Sequence, residues 1–370
     1  MKSIEADLGR IKTVDKGPRS IDLDILLYDS LTLSTPHLSI PHISMLERPF
    51  VLKPLCDIAP NRAHPLTSTA FKHHLAACPP TPTPLRTYIS LSPFAPPLDP
   101  SNPTRTTLTM AVLNLTPDSF SDGGKHTPST VVDTVNAFIA AGAAIIDIGG
   151  QSTRPGAPDI GAAEELARVL PAITAIREAG INIPISIDTF HASVARATIS
   201  AGANIINDIS AGEMDPAMLT TVAELSCPII LNHMRGTPAT MSSLTSYTDI
   251  IADIRSELLV RVAAAEAAGI RRWNIILDPG LGFAKHQQQS LEVIRRFGEL
   301  TGSMGLPWLA GPSRKRFVGG VTGEKVEGGR RWGTAGAVAA CVAGGADVVR
   351  VHDVSEMKKV VDMAVAIWRV

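Results

Sequence analysis

The sequence predicts an α/β protein whose main part is a (β/α)8 barrel, the TIM-barrel fold. Eight short apolar or β-branched runs recur between residues 108 and 353, with segments of helix length between them. Seven of the eight runs give way at their ends to Asn, Asp, His, Arg or Lys. Parallel strands buried on both faces have such continuous runs, and polar residues at the strand ends form the catalytic face of these barrels. An open, doubly wound sheet is the alternative fold.

The eight runs define the strands in chain order. They are LTMAVLN ending at Asn114, AAIIDIGG around Asp147, IPISID ending at Asp188, NIINDI through Asn207 and Asp208, PIILNHM around His233, NIILDP at Asp278, PWLAGPSRK over 308–315 and DVVRVHD over 348–353. Helices are predicted over 128–141, 161–179, 192–201, 215–225, 248–268, 288–300, 334–343 and 355–368, and several end in Gly as C-caps do. Eight such right-handed crossovers close into a barrel more naturally than they stop as an open sheet.

Composition divides the chain into three parts. Ten prolines lie among Thr, Ser and Ala between residues 65 and 103, a composition that resists regular structure. We therefore predict a semi-rigid linker over 63–104, between a small N-terminal part at 1–62 and the barrel at 105–370.

Charge and cysteine content exclude several classes of protein. A formal net charge of -1 provides no field for nucleic acid or an anionic membrane. The four cysteines are far apart and form no CxxC pair, which is typical of reduced core thiols and argues against a zinc site. No apolar run reaches the length of a membrane span, and residues 1–20 are charged rather than signal-like. These features predict an intracellular, cytoplasmic protein.

Three aspartates follow apolar runs where an unpaired carboxylate is costly to bury: Asp147, Asp188 and Asp278. A single such residue is readily explained as a cap on the following loop. Three at one rim favour a polar ligand bound deep in the barrel, and carboxylate acceptors suit a heterocycle rich in N–H donors.

Basic residues gather at the last two strands. Arg350 and His352 are two apart on a strand and share a face, and the Ser-Arg-Lys loop at 313–315 adds positive charge. Loops after strands 7 and 8 commonly hold phosphate in this fold. The alternatives are an ion pair of Arg350 with Asp353 or Asp347, and a Schiff-base role for the lysine of the loop.

Two loops after the first two barrel strands, NLTPDSFSDGG at 114–124 and GGQSTRPG at 149–156, are polar and hinged by Gly and Pro. Such loops can close over a ligand and exclude water. Two ordinary strand-to-helix turns are the alternative, but the density of hydroxyl, amide and Arg groups favours a clamp for an anion.

The segments NLTPDSFSDGG, IDIGGQSTRPGA, IDT, NDIS, HMRGTPATM, LDPGLGFAK, GPSRKRFVGG and RVHDV resemble the successive signatures of dihydropteroate synthase over residues 105–370. The resemblance implies a transferase of folate biosynthesis. It condenses 6-hydroxymethyl-7,8-dihydropterin diphosphate with p-aminobenzoate to give 7,8-dihydropteroate and diphosphate, with Mg²⁺ as cofactor. It also implies small-molecule substrates, sulfonamides as competitors, and a homodimer.

The resemblance implies a role for each matching residue. Diphosphate contacts fall to Asn114 through Mg²⁺, and to Arg350, His352, Thr153 and Arg154. Pterin contacts fall to Asp147, Asp188, Asn207, Asp278, Lys315, Met234 and Phe283, and p-aminobenzoate contacts fall to Phe120, Pro155 and the backbone near Lys315 and Arg316. Ser313 is a further substrate-binding residue. Asp188 and Asp122 would stabilise positive charge on the pterin after diphosphate leaves. The chain departs from many bacterial relatives at Gln151, where they carry Glu, so position 151 is assigned no catalytic carboxylate.

Residues 1–60 carry a second resemblance. GPRSIDLDILLYD and IPHISMLERPFVLKPLCDIAP are similar to the C-terminal half of hydroxymethyldihydropterin pyrophosphokinase, and Arg19, His42, Arg48 and Phe50 also match. Asp22 and Asp24 alternate on a predicted strand and share a face, which suits two carboxylates holding Mg²⁺ at ATP. An exposed edge strand is the alternative for that motif alone.

The part of the pyrophosphokinase family that precedes these motifs has no counterpart in the sequence. The chain therefore resembles a truncated form of a fused fungal or protist folate enzyme. We expect a partial α+β, ferredoxin-like segment that is inactive alone.

Two other functions remain as alternatives at this stage. A non-catalytic barrel that stabilises a larger folate assembly would have lost residues of the rim. A methyltetrahydrofolate methyltransferase would share the pterin carboxylates but would not need the basic SRK and RVH segments.

Overall fold

The computed structural model describes residues 2–9, 21–79, 85–116, 128–154 and 156–369. The chain forms two compact units, Met1–Arg86 and Thr87–Val370.

The first unit is small and, in its described part, combines short helices with one short strand pair. Its elements are α1 (Lys2–Asp7), the antiparallel pair β1 (Leu33–Ser34) and β2 (Ser39–Ile40), α2 (Pro49–Ile58) and α3 (Phe71–Ala77). Met45, Leu52 and Phe71 are fully buried and form its core.

The predicted strand that carries Asp22 and Asp24 is wrong. Residues 21–28 belong to no β-ladder in the described part of this unit, and backbone bonds there go elsewhere. The Leu23 N–H donates to the Glu5 carboxylate at 2.9 Å, and the His42 N–H donates to the Leu26 carbonyl at 3.0 Å. Both aspartates are nevertheless exposed.

Residues 63–104, predicted to be a semi-rigid linker, are instead divided between the two units. The boundary between the units falls after Arg86, and α3 with its buried Phe71 lies within residues 63–104. Further along, Ile89 and Leu98 pair in an antiparallel bridge and are buried in the second unit. Apolar side chains spaced between the prolines find cores to pack in, so much of this region is ordered.

The second unit is the predicted barrel. Its strands are β3 (Leu108–Asn114), β4 (Ile145–Gly149), β5 (Ile185–Asp188), β6 (Ile205–Asp208), β7 (Ile229–Asn232), β8 (Ile275–Asp278), β9 (Leu309–Ala310) and β10 (Val348–Val351). They are parallel in the order β8-β7-β6-β5-β4-β3-β10-β9, and a parallel bridge from Leu277 to Trp308 brings the two edges together. The TIM-barrel prediction is confirmed.

The helices pack around the strands. They are α4 (Pro128–Ala140), α5 (Ala162–Glu178), α6 (Ala192–Ser200), α7 (Met218–Leu225), α8 (Ile250–Ala267), α9 (Gln287–Arg295), α10 (Phe297–Met304), α11 (Arg316–Thr322), α12 (Arg331–Ala343) and α13 (Val354–Trp368). The predicted helix 288–300 is two helices because the backbone of Arg296 leaves the helical region. The predicted strand 308–315 shortens to β9, since Pro312 has no N–H for a ladder.

Two apolar layers show which end of the barrel is apolar and which is polar. One lies between strands and helices, and the other fills the barrel interior near the strand starts. In the second layer Ile89, Leu91 and Leu98 pack against Leu108 and Ile145. The polar strand ends lie at the opposite end of the barrel. No helix in the described part of the chain is long and apolar enough to span a membrane.

Candidate active site

A cavity of about 570 Å³ lies at the carboxyl ends of the barrel strands. It brings together these predicted site residues: Asn114, Thr153, Arg154, Asp188, Asn207, Asp278, Phe283, Ser313, Lys315, Arg350 and His352. Asp147 and Met234 are buried outside the cavity lining. Phe120, Asp122 and Pro155, together with Arg19 in the first unit, lie outside the described residues.

Arg350 joins two of the predicted carboxylates. Its Nε lies 2.5 Å from Asp147 Oδ2, and its Nη2 lies 2.8 Å from Asp188 Oδ2. Asp147 is fully buried and also accepts from Asn207 Nδ2 at 3.3 Å. Strand β10 lies beside β3, and β4 and β5 come next in the sheet. Arg350 on the last strand of the chain therefore reaches Asp147 on β4 and Asp188 on β5.

The alternative pairing of Arg350 with Asp353 or Asp347 is wrong. Asp353 accepts from Arg314, at 3.0 Å from Nε and 2.7 Å from Nη2, and Asp347 accepts from Arg105 at 2.5 Å. Both Arg350 and Arg314 therefore have carboxylate partners within the barrel.

Asp188 has one oxygen ready for a ligand. Its Oδ1 is buried and has no hydrogen-bond partner among the described residues. Burial raises the pKa of Asp188 to about 7, Arg350 opposes that shift, and the nearby Asp147 charge adds to it. A buried acceptor without a partner is costly, so a ligand N–H that reaches this oxygen gains a strong interaction.

Asp278 and Lys315 lie on another side of the cavity. The Gly280 N–H donates to Asp278 Oδ1 at 2.7 Å, and burial raises the pKa of Asp278 although Lys315 opposes the shift. Lys315 donates to the Leu281 carbonyl, and its Nζ lies 4.8 Å from the centroid of the Phe283 ring. Burial lowers the pKa of Lys315 to about 8. The pair offers one acceptor and one donor beside an aromatic face.

His352 is neutral, which corrects the predicted cationic pair with Arg350. Burial lowers its pKa to about 3, and Arg350 and Arg314 add to the shift. Ser313 Oγ accepts from the His352 backbone N–H at 3.1 Å and lies 2.9 Å from Nδ1. With the Ser313 hydroxyl donating to Nδ1, the ring carries its proton on Nε2 and is a neutral donor.

The loop after β4 is held at several points in its described part. The Gln151 side-chain oxygen accepts from the Ile160 N–H at 2.9 Å, and the Gly156 N–H donates to the Pro238 carbonyl at 2.9 Å. Arg154 is exposed and forms a 3.0 Å ion pair with Glu327. Gln151 therefore has a structural use in the loop, while Arg154 extends over the cavity.

Sequence reasoning missed a polar cluster at the cavity wall, formed by the buried Lys285 and His233 and the half-buried Glu257. Lys285 Nζ lies 2.8 Å from His233 Nδ1, and His233 Nε2 lies 2.9 Å from Glu257. Lys285 ends the LDPGLGFAK segment, two residues after Phe283 and close to Gly280 and Gly282. A lysine in a glycine-rich loop after a barrel strand is the sequence signal that could have indicated it.

The described residues at the cavity fit a Mg²⁺ ion through one side chain only. No group of three or more His, Cys, Asp or Glu side chains in the described part could hold an ion. Asn114 lines the cavity at the end of β3. Its Oδ1 lies beside Gly149, where a Cβ added to the glycine would be 3.4 Å from that oxygen. A single amide oxygen fits Mg²⁺, which keeps several waters and takes further oxygens from a phosphate substrate.

Comparison with known proteins identifies both parts of the chain. The family of pterin binding enzymes matches residues 110–352, and the 7,8-dihydro-6-hydroxymethylpterin-pyrophosphokinase family matches residues 1–60. Folic acid synthesis protein fol1 of Pneumocystis carinii is 48% identical over 381 residues, 100% of this chain and 50% of that protein. Dihydropteroate synthase of Synechocystis is 46% identical over 264 residues, 71% of this chain and 91% of that protein.

The solved dihydropteroate synthase of Xanthomonas albilineans with 4-aminobenzoic acid has a TM-score of 0.69 and 35% identity, covering 77% of this chain and 100% of that one. Fold and site thus define a pterin-binding barrel. The chain belongs to the dihydropteroate synthase family, with a pyrophosphokinase-like segment before the barrel, and both predicted resemblances are confirmed. It spans about half the length of the fungal relatives it matches, 50% of one and 49% of another.

Proposed function

We propose that the barrel is a dihydropteroate synthase, which joins 6-hydroxymethyl-7,8-dihydropterin diphosphate to p-aminobenzoate and releases diphosphate. The observation that carries the proposal is the cavity that unites a buried, half-satisfied Asp188 with the donors Lys315 and His352. Acceptors deep in the barrel suit the N–H-rich ring, and donors nearer the mouth suit the leaving group.

The pterin ring is bound by groups that keep hydrogen-bonding capacity for a ligand. The free Oδ1 of Asp188 accepts one ring N–H, and Asp278 accepts another from the opposite side. Lys315 donates to a ring acceptor, with Phe283 beneath the ring plane and Met234 packed behind it. Asn207 and Asp147 complete this site, since Asn207 holds Asp147 and Asp147 holds Arg350.

Departure of diphosphate leaves positive charge on the pterin methylene. The neutral His352 donates its Nε2–H, which the Ser313 hydroxyl keeps in place by donating to Nδ1, and Thr153 and Arg154 supply further donors to the phosphates. When bound, Mg²⁺ neutralises phosphate charge, and Asn114 would hold it. Asp188, whose charge is balanced by Arg350, stabilises the cation that develops on the ring.

The arylamine of p-aminobenzoate then attacks the methylene carbon and loses a proton, so no protein nucleophile is needed. The carbon–nitrogen bond forms where the carbon–oxygen bond to diphosphate broke. Lys315 and Arg316 at the start of α11 supply the described part of this subsite. We propose that Phe120 and Pro155 complete it, that Asp122 assists Asp188, and that sulfonamides compete there with p-aminobenzoate.

The pH dependence of the reaction follows from the shifted pKa values of Asp188 and Lys315. We expect kcat/KM for the pterin diphosphate to be bell-shaped, with limbs near pH 7 from Asp188 and near pH 8 from Lys315. Below the first value Asp188 gains a proton and stops accepting; above the second Lys315 loses its charge. Initial rates measured from about pH 5 to about pH 10 at constant ionic strength test this. A flat profile on the acid side would contradict the role given to Asp188.

The N-terminal unit is expected to have no pyrophosphokinase activity by itself. Asp22 and Asp24 lie on an extended segment outside any sheet, and Asp24 already faces Arg48 at 3.5 Å. Exposed Tyr28 and Leu31 leave apolar surface uncovered. The chain should give no AMP from ATP and hydroxymethyldihydropterin with Mg²⁺; a complete pyrophosphokinase serves as positive control. AMP formation above background would refute this.

The alternatives have less support. A non-catalytic barrel has no need for the charges that the rim retains at Arg350 and Lys315, and a methyltransferase has no need for the donor at His352. The homodimer and the cytoplasmic location stay predictions. Exposed Trp332 on α12 and Trp368 on α13 provide apolar surface for a second copy.

The proposed function is tested by incubating the purified chain with both substrates and Mg²⁺ and following dihydropteroate by chromatography. Omission of p-aminobenzoate is the control for unproductive hydrolysis. Product that depends on both substrates supports the proposal.

A further inference from the structure

Lys285 forms part of the cavity wall but has no part in the chemistry proposed above. It is 7% exposed, and its Nζ donates to Gly280 O at 3.1 Å, Phe283 O at 3.0 Å and His233 Nδ1 at 2.8 Å. An ammonium group has three N–H donors, and these acceptors use all three. One side chain therefore ties both ends of the turn after β8 to the end of β7.

The turn that Lys285 ties has a demanding backbone. Gly280, Gly282 and Ala284 have φ of +67°, +79° and +47°. Glycine adopts this region freely, but Ala284 does so at a cost. A Cβ on Gly280 would lie 1.9 Å from the His233 carbonyl oxygen, so the turn packs directly on β7. Such a conformation persists only when surrounding bonds hold it.

The same turn supplies one wall of the pterin site. Its Gly280 N–H donates to Asp278, and its Leu281 carbonyl accepts from Lys315. Its Phe283 ring lies 4.8 Å from the Lys315 ammonium. A shift of the turn would displace an acceptor, a donor and an aromatic face together.

Glu257 fixes the ring nitrogen that Lys285 needs. His233 Nε2 donates to Glu257 at 2.9 Å, so Nδ1 keeps a lone pair for the ammonium. Arg235 holds Glu257 in turn, with Nε at 3.0 Å from Oε1, and lies 3.9 Å from the Tyr247 ring centroid. The Tyr247 hydroxyl donates to the Ala284 carbonyl at 3.0 Å. This set of contacts supports the turn from behind.

We infer that Lys285 is a positioning residue for pterin recognition, which holds the turn after β8 so that Asp278, Phe283 and Lys315 meet the ring together. It touches neither the ring nor the reacting carbon. The inference rests on the proposed function for the identity of the ring, and its geometry involves no residue assigned to p-aminobenzoate except the shared Lys315.

The test replaces Lys285 with Met, which has similar length and no donor. We expect the Kd of the unreactive probe pterin-6-carboxylate, measured by titration calorimetry, to rise about tenfold, because the turn loses the hydrogen bonds that hold it and no longer presents Asp278, Phe283 and Lys315 together. KM for the pterin diphosphate should rise by a similar factor, while KM for p-aminobenzoate stays within about twofold. This split between the two substrates is not expected of a residue that only stabilises the fold.

Controls keep the outcome interpretable. Lys358→Met, at an exposed lysine of α13 paired with Asp362, should behave as wild type. Should Lys285→Met fail to fold by circular dichroism, Lys285→Gln, which keeps a shorter donor, is measured instead and should weaken the probe less. Wild-type probe affinity in a folded Lys285 variant, or equal rises in both KM values, would overturn the inference. Absence of dihydropteroate from wild type would instead overturn the proposed function, and the probe Kd would still decide the role of Lys285.

Discussion

Replacement of Arg350 by Ala is expected to lower kcat/KM for the pterin diphosphate about a hundredfold or more, because removing one partner of a buried ion pair costs about 3–5 kcal/mol. Arg350 balances the charges of Asp147 and Asp188, and both carboxylates are buried. Without the guanidinium, Asp188 takes up a proton at higher pH and no longer stabilises a cation on the ring. Steady-state rates across pH measure both effects.

The Arg350→Ala result has a distinctive signature. The acid limb of the pH profile should move above pH 7, since Arg350 opposes the rise in the Asp188 pKa that burial causes. Arg350→Lys keeps a charge but loses the two-pronged contact, and it should fall between wild type and Arg350→Ala. Arg295→Ala, at an exposed arginine paired with Glu292, is the matched control and should change little. Near-wild-type kcat/KM in folded Arg350→Ala would contradict the role of the bridge.

Replacement of Asp278 by Asn is expected to raise KM for the pterin diphosphate about tenfold or more, because a hydrogen bond to a charged group is worth about 1.5–3 kcal/mol. The Asn oxygen can still accept from the Gly280 N–H, so the turn is retained. The amide nitrogen then faces the ring with a donor where an acceptor is needed. Initial-rate kinetics with each substrate varied in turn measure the change.

Asp278→Asn should also move the basic limb of the pH profile below pH 8. Asp278 raises the pKa of Lys315 against the effect of burial, so loss of the carboxylate lets the ammonium lose its proton more readily. Asp362→Asn, at an exposed carboxylate of α13, is the control that should leave both limbs in place. An unchanged KM for the pterin substrate would remove Asp278 from the ring site.

The barrel was predictable because its signals are local. Each strand is a continuous apolar run, and residues such as Asp188 and Asp278 end their strands where the sequence places them. Helices that follow Gly- and Pro-bounded segments lie within a few residues of their predicted limits. These properties depend on neighbouring residues, which a sequence displays directly.

Pairings between distant strands were not predictable. Arg350 contacts Asp147 and Asp188 only because barrel closure places β10 beside β3, with β4 and β5 next in the sheet. The spacing of these residues along the sequence does not reveal that they are close in space. The neutral state of His352 depends in the same way on burial between Arg350 and Arg314. Partners and protonation states are properties of the closed barrel.

The structure of the N-terminal region differed from its sequence-based prediction for another reason. Asp22 and Asp24 alternate as strand residues do, but a strand also needs a neighbour for its backbone hydrogen bonds, and the described part of that unit offers them none. The prolines of 63–104 concealed Phe71, Ile89 and Leu98, each of which is buried. Composition averages over a segment and misses single apolar anchors.

The central claim is that this barrel catalyses dihydropteroate formation. Its most direct test is mass-spectrometric identification of the product made by the purified chain from pterin diphosphate, p-aminobenzoate and Mg²⁺, with released diphosphate quantified in the same sample. The account predicts 7,8-dihydropteroate and diphosphate in equal amounts, and formation of both about a hundredfold slower or more with Arg350→Ala. Intact substrates after prolonged incubation with folded protein, or diphosphate release without dihydropteroate, would contradict it.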